Sequence, residues 1–346
     1  MRIRLSSSDA QRNFAANPSG RWHKAGIDVA DATGPFAVQR LQHDFFEPRE
    51  VRAGAEDFRL NAEASVFAIG SCFARGIEQA LMNVGFEVES WADEFDAFEL
   101  ANPNVTGRGF TNKYTTFSIE NELRWALDPD AEVPWGSLVD VGECRTIDPH
   151  VNPTLLWVGR DRTIDRRRTI SSVYARAGRV QAIVITLGLV EAWFDTETST
   201  WLNMTPTSEM LQLHPDRYVF EVTDFAANRS ALDRISRILE AHAAPDVHVV
   251  VTVSPVPLMA TFSGRDVVAA NAYSKSVLRA AAEEWSWDES NVHYFPSYEA
   301  VTNSNPMKAW EADRRHVQGP IVRQIMALFK QEFVAVDVDE PPASVA

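Results

Sequence analysis

The sequence predicts a three-layer α/β/α sandwich built around a parallel sheet. Short runs rich in β-branched and other apolar residues recur along the chain, most clearly at residues 180–186 and 247–253. Segments with apolar residues at helical spacing alternate with these runs, which is the pattern of a parallel sheet covered by helices on both faces. The 346 residues are also enough for one such domain with insertions.

Strands and helices are predicted in alternation along the chain. The first helix places Phe73, Ile77 and Leu81 on one face. A capping box at 263–266 predicts the start of a later helix, and others are expected at about 228–243 and from Gly319 onward. The predicted strands lie at residues 65–69, 86–91, 180–186, 247–253 and 292–295.

The segments around these elements predict the domain organisation. Residues 1–60 show no sustained period and are interpreted as an N-terminal extension wrapped on the body. Residues 61–333 are predicted to form one domain, with insertions at about 92–179 and 194–227 over one end of the sheet. Residues 334–346 are acidic and contain a proline pair, so they are expected to form a loose tail.

Composition excludes several classes of function. The net charge of -15 argues against nucleic acid and against an anionic membrane surface, because both need clustered cations. No apolar run approaches the roughly 20 residues that span a bilayer, and the N-terminus lacks a signal-peptide core. Two cysteines cannot build a disulfide framework, and the eight histidines show no zinc spacing. A reduced cytoplasmic protein without a metal or membrane insertion is therefore expected.

The first candidate site follows the first predicted strand, where residues 70–74 read Gly-Ser-Cys-Phe-Ala. Gly70 permits a sharp turn from strand to helix, at the carboxyl end of the sheet where ligands bind. Ser71 or Cys72 on this turn would stand at the helix N-terminus, whose amides can hold an oxyanion and lower the pKa of a thiol. The alternative is that Ser71 only caps the helix and Cys72 is a buried small residue.

Two further stretches carry candidate residues. Asp313 precedes His316 by three residues, just before the last helix, and can orient the imidazole as a general base. Gly188 follows the third strand and offers a second oxyanion donor, while Glu191 nearby can bond a substrate or a catalytic partner. Both stretches are also compatible with ordinary turns, one exposed and charged, the other a strand-to-loop exit.

Residues 70–74 spell the signature of the GSCFA-domain family, and the chain resembles that family over roughly residues 60–333. GSCFA proteins are in turn similar to the SGNH (GDSL) hydrolases, which have a flavodoxin-like sheet and a D-x-x-H motif near the end. The resemblance implies the strand order 2-1-3-4-5 and an acyl-transfer site with His316 as base and Asp313 as its orienter. Other stretches that resemble the family lie at residues 112–115, 252–256 and 294–299.

The resemblance also favours one of the two candidate nucleophiles over the other. The G-D-S turn of SGNH hydrolases, laid over residues 70–72, puts Cys72 in the place of the serine nucleophile. A capsule-polysaccharide acetyltransferase family with a similar Gly-Asn-Cys turn uses cysteine there, so Cys72 is favoured over Ser71. The chain departs from the SGNH pattern where Val190 replaces the oxyanion-hole asparagine, with Glu191 in the place of the aspartate.

A third oxyanion donor is less clearly assigned. The glycine of the second SGNH block has three candidate counterparts in this sequence: Gly107, Gly109 and the amide of Asn112.

These motifs predict an acyl-ester hydrolase or acyltransferase that works through a covalent acyl-enzyme. The resemblance suggests acylated carbohydrate as substrate, and hence polysaccharide modification. No cofactor is expected, apart from acyl-CoA as donor substrate if the enzyme is a transferase. The alternative is a catalytically silent carbohydrate- or protein-binding module of the same fold, which the Val190 departure supports. The oligomeric state is left open.

Overall fold

The computed structural model describes residues 5–17, 21, 36–48, 58–61, 63–83, 85–102, 108–142 and 144–335. Much of the predicted N-terminal extension, the candidate Gly107 and the tail from residue 336 onward lie outside the described residues. The start of the predicted tail is not loose. Val334 forms a parallel bridge with Leu60, and the N–H of Ala335 donates to Leu60 O at 2.8 Å.

Helices and strands alternate through the body of the chain. The helices are α1 (Ser7–Ala16), α2 (Ala37–Arg40), α3 (Cys72–Asn83), α4 (Thr116–Leu127), α5 (Arg160–Tyr174), α6 (Ser208–Leu213), α7 (Phe225–His242), α8 (Val267–Asp288), α9 (Ser297–Thr302), α10 (Pro306–Ala309) and α11 (Gly319–Phe333). The strands are β1 (Ser65–Gly70), β2 (Glu87–Val88), β3 (Val139–Asp140), β4 (Thr146–Ile147), β5 (Ala182–Leu187), β6 (Glu191–Asp195), β7 (Thr200–Trp201), β8 (Tyr218–Val222), β9 (His248–Val253) and β10 (Val292–Tyr294).

Five strands form one parallel sheet in the order β2-β1-β5-β9-β10. Numbered first to fifth along the chain, this is the order 2-1-3-4-5, and the predicted α/β fold with a central parallel sheet is confirmed. The order places a topological switch point between β1 and β5, where the chain changes the direction in which it adds strands. In open parallel sheets, ligands bind beside this point at the carboxyl ends of the strands.

Helices cover both faces of the sheet. Val66 and Ala68 of β1 point to one face, where they pack against α3 and α11. Phe67 and Ile69 point to the other face and pack against α4, α5, α7 and α8. Because neighbouring residues of a strand face opposite ways, a continuous apolar run is what a strand between two helical layers requires.

The interval 92–179 differs from its prediction as an insertion over one end of the sheet. Its helices α4 and α5 bury Ile119, Leu123 and Ile170 in the same core as β5. A parallel connection from β2 to β5 has to cross a face of the sheet, and a helix usually makes that crossing. The second insertion contains a three-stranded antiparallel sheet of β7, β6 and β8, which begins at Glu191.

Two predicted boundaries also differ from the structure. The strand expected at 86–91 is only two residues long, and beyond it the Ala68 N–H donates to the side chain of Ser90 at 3.0 Å. The capping box expected at 263–266 does not form, because the helix begins at Val267. Its cap is Asp266, which accepts hydrogen bonds from the amides of the first turn.

Candidate active site

Gly70 brings the end of β1 unusually close to β5. Its φ is +135°, and a Cβ atom at this position would lie 2.2 Å from Thr186 O. Any side chain would clash with the neighbouring strand, so only glycine fits. The close approach lets the Ser71 N–H donate to Thr186 O at 3.0 Å. Ser71 and Cys72 therefore lie beside the switch point between β1 and β5.

Ser71 points inward from this turn. It is 3% exposed, and its Oγ lies 3.2 Å from Thr186 Oγ1. The same oxygen accepts the Phe73 N–H at 3.3 Å, which satisfies one of the amides at the start of α3. Ser71 therefore supports the turn and caps the helix.

Cys72 is the first residue of α3 and is only partly buried. Burial raises the pKa of its thiol above the usual value. Arg315 and Lys275 oppose this effect, as do the amides of Cys72 and Phe73 at the helix N-terminus. The expectation of a lowered pKa is therefore wrong, because desolvation outweighs the nearby positive charges and amides.

Asp313 and His316 lie together on an exposed turn before α11. The turn is closed by an antiparallel bridge between Trp310 and Val317, and Arg314 takes a left-handed conformation with φ 56°. Asp313 Oδ2 lies 2.6 Å from His316 Nδ1. Its other oxygen, Oδ1, accepts the amides of Arg315 and His316 at 2.9 and 3.0 Å.

These hydrogen bonds define the charge state of the turn. The amides of His316 and Arg315, with the imidazole, hold the pKa of the Asp313 carboxyl well below its usual range. A charged carboxylate accepts the proton on Nδ1 of His316, which assigns Nε2 as the acceptor nitrogen of the ring. The assignment leaves Nε2 as the atom that can take a proton from a substrate or nucleophile.

Arg315 connects this turn with Cys72. Its Nη1 lies 3.4 Å from His316 Nε2, and its Nε donates to Pro257 O at 3.3 Å. The same guanidinium is the strongest nearby charge acting on the Cys72 thiol. The Asp313–His316 pair and Cys72 therefore share one end of the sheet. No direct hydrogen bond joins Cys72 to His316 within the part of the chain that the structure describes.

The segment 112–114 lies against the signature turn. The Lys113 N–H donates to Gly70 O at 2.6 Å. Burial raises the pKa of the Tyr114 hydroxyl, and the nearby Cys72 adds to this rise. The backbone N–H of Asn112 already donates to Gly109 O at 3.1 Å, so this candidate oxyanion donor is engaged. The Asn112 side chain faces the hydroxyl of Tyr114, with Nδ2 at 3.4 Å.

A buried charged network holds segment 112–114 in place. Lys113 Nζ donates to Glu122 Oε1 at 2.5 Å and to His150 O at 2.6 Å. Arg167 pairs with the same Glu122 and with Asp148, at 2.6 and 2.8 Å. Each positive charge thus has a carboxylate partner, which keeps both Glu122 and Asp148 ionised although they are buried.

Gly188 is held on the other side of the same segment. A Cβ atom on Gly188 would lie 2.6 Å from Tyr114 O, so the two backbones meet at a distance that only glycine permits. The Leu189 N–H donates to that same oxygen at 2.9 Å. The Gly188 N–H makes no hydrogen bond to another residue that the structure describes, which is compatible with a role as oxyanion donor.

Val190 and Glu191 are both held by other parts of the chain. Val190 is fully buried, and its N–H donates to the side chain of Ser274 at 3.0 Å. Glu191 accepts hydrogen bonds from Thr261 Oγ1 at 2.5 Å and from the Phe262 N–H at 3.3 Å. These contacts fix the loop that follows β9. That Glu191 bonds a substrate or a catalytic partner stays a prediction.

The profile of the GSCFA family matches residues 65–329. The chain belongs to the GSCFA family. None of the curated proteins compared with the chain matches it.

Several solved structures are similar to this GSCFA chain. A Clostridium thermocellum family 3 carbohydrate esterase shares 8% identity, with 78% of this chain and 94% of that chain covered and a TM-score of 0.33. A carbohydrate esterase family 3 from Talaromyces cellulolyticus shares 11% identity over 78% and 95% of the two chains, also with a TM-score of 0.33. A mutant acetyl-xylooligosaccharide esterase from Geobacillus shares 12% identity over 81% and 100%, with a TM-score of 0.30.

Sequence reasoning missed Arg315 and also a second residue of this GSCFA site, Lys275. It lies on α8, is 1% exposed, and its Nζ donates to Gly188 O at 2.6 Å and to Val256 O at 2.8 Å. Burial lowers its pKa to about 7. Its only sequence signal is that a charged residue lies between Ser274 and Val277, among the buried and otherwise uncharged residues of α8.

Other features of the GSCFA chain lie apart from this site. A surface cavity of about 530 Å³ is lined in part by Cys144, Arg145 and Arg160. None of these three residues contacts Cys72, His316 or Lys275. Within the described ranges, no cluster of three or more His, Cys, Asp or Glu side chains is arranged to hold a metal ion. No described helix is both long and apolar enough to cross a membrane.

Proposed function

We propose that this GSCFA chain cleaves acyl esters through a covalent acyl-enzyme, with Cys72 as nucleophile and His316 as base. The observation that carries the proposal is the contrast between two neighbouring residues. Ser71 is 3% exposed and bonded to Thr186, whereas Cys72 is only partly buried and its thiol is under the influence of the Arg315 guanidinium, which lies beside His316. A nucleophile has to be reachable by its substrate, and this favours the sulfur.

The reaction would proceed in two acyl-transfer steps. His316 Nε2 takes the proton of the Cys72 thiol, and the thiolate attacks the carbonyl carbon of the ester, so that a C–S bond forms and His316 becomes an imidazolium. The C–O bond to the alcohol then breaks, and the leaving oxygen takes a proton from the His316 imidazolium. In the second step water or an acceptor hydroxyl attacks the thioester and gives its proton to His316. The C–S bond breaks and the thiolate is restored.

Four groups would serve these steps. Asp313 holds Nδ1 of His316 at 2.6 Å and stabilises the charged ring. The N–H groups of Cys72 and Gly188 are the proposed oxyanion donors, and both lie beside the switch point of the sheet. Arg315 has to leave His316 Nε2 so that this nitrogen can contact the substrate. The 3.4 Å distance between Arg315 Nη1 and Nε2 is that of a weak hydrogen bond, which breaks readily.

Acylated carbohydrate is the substrate class we propose. Trp193, Phe220 and Phe262 form an aromatic cluster with ring centroids 5.3 to 5.7 Å apart. Phe262 is 55% exposed and lies on the loop whose Pro257 carbonyl accepts from Arg315. Sugar rings commonly stack on exposed aromatic faces. The cluster therefore supports a carbohydrate leaving group or acceptor on the loop that Arg315 contacts.

The test combines labelling with turnover in the full chain. Iodoacetamide should label Cys72 in an active preparation, with Cys144 as an internal reference because it is exposed and outside the site. Incubation with p-nitrophenyl acetate or an acetylated xylo-oligosaccharide should add one acetyl group to the peptide that contains Cys72. Cys72→Ala and His316→Ala should abolish turnover. Ester cleavage that survives Cys72→Ala overturns the proposed nucleophile.

A second assay separates hydrolysis from transfer. Acetyl-CoA and a sugar acceptor are added to the enzyme, and acetylated sugar is measured by mass spectrometry. Product formation supports a transferase, whereas unchanged ester hydrolysis in the presence of both supports an esterase. Sugar binding without any acyl-enzyme or turnover supports the alternative of a binding module.

A further inference from the structure

Two half-buried arginines of this chain differ in their partners. Arg279, on α8, pairs with Glu299 at 2.5 Å. The guanidinium of Arg315 has no carboxylate within ion-pair distance among the residues that the structure describes. Its Nε donates to Pro257 O at 3.3 Å, and its Nη1 lies 3.4 Å from His316 Nε2. A guanidinium has five N–H donors, so most of those on Arg315 remain for another acceptor.

Asp313, the acidic residue closest to Arg315 along the chain, is engaged by other groups. Its Oδ1 accepts the backbone N–H groups of Arg315 and His316 at 2.9 and 3.0 Å, and its Oδ2 lies 2.6 Å from His316 Nδ1. The carboxylate is therefore held by two amides and the imidazole and not by the guanidinium. An anionic group that binds beside His316 would meet Arg315 without breaking an existing ion pair.

The contact between Arg315 and Nε2 conflicts with the role proposed for His316. A nitrogen whose lone pair accepts from the guanidinium cannot at the same time take the proton of a thiol. A substrate can move Arg315 away from Nε2 only through an interaction that it makes with the moved side chain. A carboxylate or phosphate supplies this interaction, because its oxygens accept two parallel N–H groups of one guanidinium. A neutral ester has no group of this kind.

The loop that Arg315 contacts also carries an exposed aromatic side chain. Pro257, whose carbonyl accepts from Arg315, and Phe262 both lie on the loop that follows β9. Phe262 is 55% exposed and packs edge-on against Trp193, with ring centroids 5.4 Å apart. An aromatic face and a guanidinium on neighbouring segments can bind the ring and the carboxylate of one acidic sugar. The phosphates of acyl-CoA would offer the same anionic chemistry to Arg315 without a need for the aromatic face.

We propose that Arg315 determines the specificity of this site and selects acyl substrates that carry a carboxylate or phosphate group beside the reacting ester. The inference rests on the proposed function, since it assigns the substrate class of that same site. When the substrate binds, its anionic group accepts the Nη N–H groups of Arg315, and Nε2 of His316 becomes free to take the proton of Cys72. The anionic group thus both positions the substrate and frees the base. Arg315 binds the substrate and takes no part in bond making.

The first experiment compares substrates that differ in their anionic group. The kcat/KM of an acetylated methyl glucuronoside is divided by that of the acetylated methyl glucoside, and the kcat/KM of acetyl-CoA by that of the neutral thioester S-acetyl-N-acetylcysteamine. At least one ratio should be about ten or more, the size expected for charge-assisted hydrogen bonds. The larger ratio identifies whether the sugar or the acyl donor carries the anion. Ratios near one for both pairs overturn the proposal.

Three variants show whether Arg315 is responsible for the preference. Arg315→Gln should reduce the larger ratio to about one. Arg315→Lys should keep only part of it, because an ammonium cannot form the paired hydrogen bonds of a guanidinium. Arg314→Gln is the matched control and should keep the wild-type ratio, since that guanidinium contacts Pro306 O and Met307. An unchanged ratio in Arg315→Gln overturns the proposal and leaves the proposed function intact.

A second measurement on the wild-type chain needs neither turnover nor a folded variant. Alkylation of Cys72 by iodoacetamide is followed at increasing concentrations of glucuronate, glucose or inorganic phosphate, with the exposed Cys144 as reference. Glucuronate or phosphate should protect Cys72 at concentrations about tenfold lower than glucose. Equal protecting concentrations for all three compounds overturn the proposal, even if no ester is cleaved. Absence of turnover with every substrate, together with selective protection by an anion, overturns the proposed function alone.

Discussion

Nη1 of Arg315 lies 3.4 Å from Nε2 of His316, the ring nitrogen that Asp313 leaves open. The same guanidinium acts on the Cys72 thiol more strongly than any other nearby charge. In a protein with a net charge of -15, this makes the surroundings of the thiol locally positive.

Arg315 should make Cys72 selective for anionic reagents. The ratio of iodoacetate to iodoacetamide alkylation rates should be higher at Cys72 than at Cys144, because a nearby positive charge attracts the carboxylate. In Arg315→Gln this ratio should fall about threefold or more. Arg314→Gln is the matched control, since that guanidinium contacts Pro306 O and Met307 on the far side of the turn. An equal ratio at both cysteines in the wild type contradicts the prediction.

Asp313→Asn should lower kcat by about 10²–10⁴, because an amide stabilises neither the correct tautomer nor the charged imidazole. The low pKa of Asp313 keeps its carboxylate ionised at all pH values above its ordinary value of 3.8. The contribution of this carboxylate to the free energy of unfolding is therefore present above that pH and is lost only as the pH falls further. The acid limb of the wild-type rate profile should thus not arise from Asp313.

The control for this variant is Glu311→Gln on the same turn, which contributes its backbone to the bridge. This substitution should leave kcat within about twofold of the wild type, the usual range for an exposed side chain. A comparable loss in both variants would indicate damage to the turn and not to the pairing.

Gly70→Ala should destabilise the fold far more than Gly85→Ala. Both glycines have positive φ, +135° and +97°, but only the first has an atom within reach of a new Cβ, Thr186 O at 2.2 Å. Strain alone should cost about 1–2 kcal/mol at Gly85. At Gly70 the added clash should raise the loss of unfolding free energy to about 3 kcal/mol or more. Urea unfolding of both variants measures the difference, and equal losses would refute the clash.

Ser71→Ala should affect stability more than activity. Loss of the cap at α3 should cost about 1 kcal/mol of unfolding free energy, while ester turnover should stay within about tenfold of the wild type. Cys72→Ser, in contrast, should lose most of the turnover because an alkoxide is far harder to form than a thiolate. The two variants are compared in the same p-nitrophenyl acetate assay. The reverse order of activities would assign the nucleophile to Ser71.

Stability should depend on pH through Lys275. Its pKa is about 7 in the folded chain and 10.5 in an exposed lysine, so the unfolded state binds more protons between these values. Unfolding free energy contributed by this group therefore rises with pH over that window, by at most about 1.4 kcal/mol per pH unit. Relative to the wild type, Lys275→Met should lose stability as the pH rises from 7 to 10. Urea titrations at three pH values test this trend, and a constant difference contradicts it.

Local patterns in the sequence were sufficient to predict much of this structure. Alternation of apolar runs with amphipathic segments predicted the parallel sheet, because each strand is buried on both faces and each helix on one. The pairing of Asp313 with His316 spans only three residues, so a single turn can form it. The extent of the α4–α5 layer was underestimated, since its apolar residues at 92–179 are interspersed with polar ones that form the buried Lys113 network.

By itself, the sequence determined the α/β fold, the family and the two short motifs, because these depend on spacing along the chain. Only the tertiary structure decided that Ser71 faces inward, that Cys72 has a raised pKa, and that Lys275 and Arg315 lie near its sulfur. Burial and electrostatic fields arise from groups that are distant in sequence and adjacent in space. The sequence around Cys72 does not predict that α8 and the turn before α11 pack near it. The proximity of these two elements determines how readily the thiol ionises.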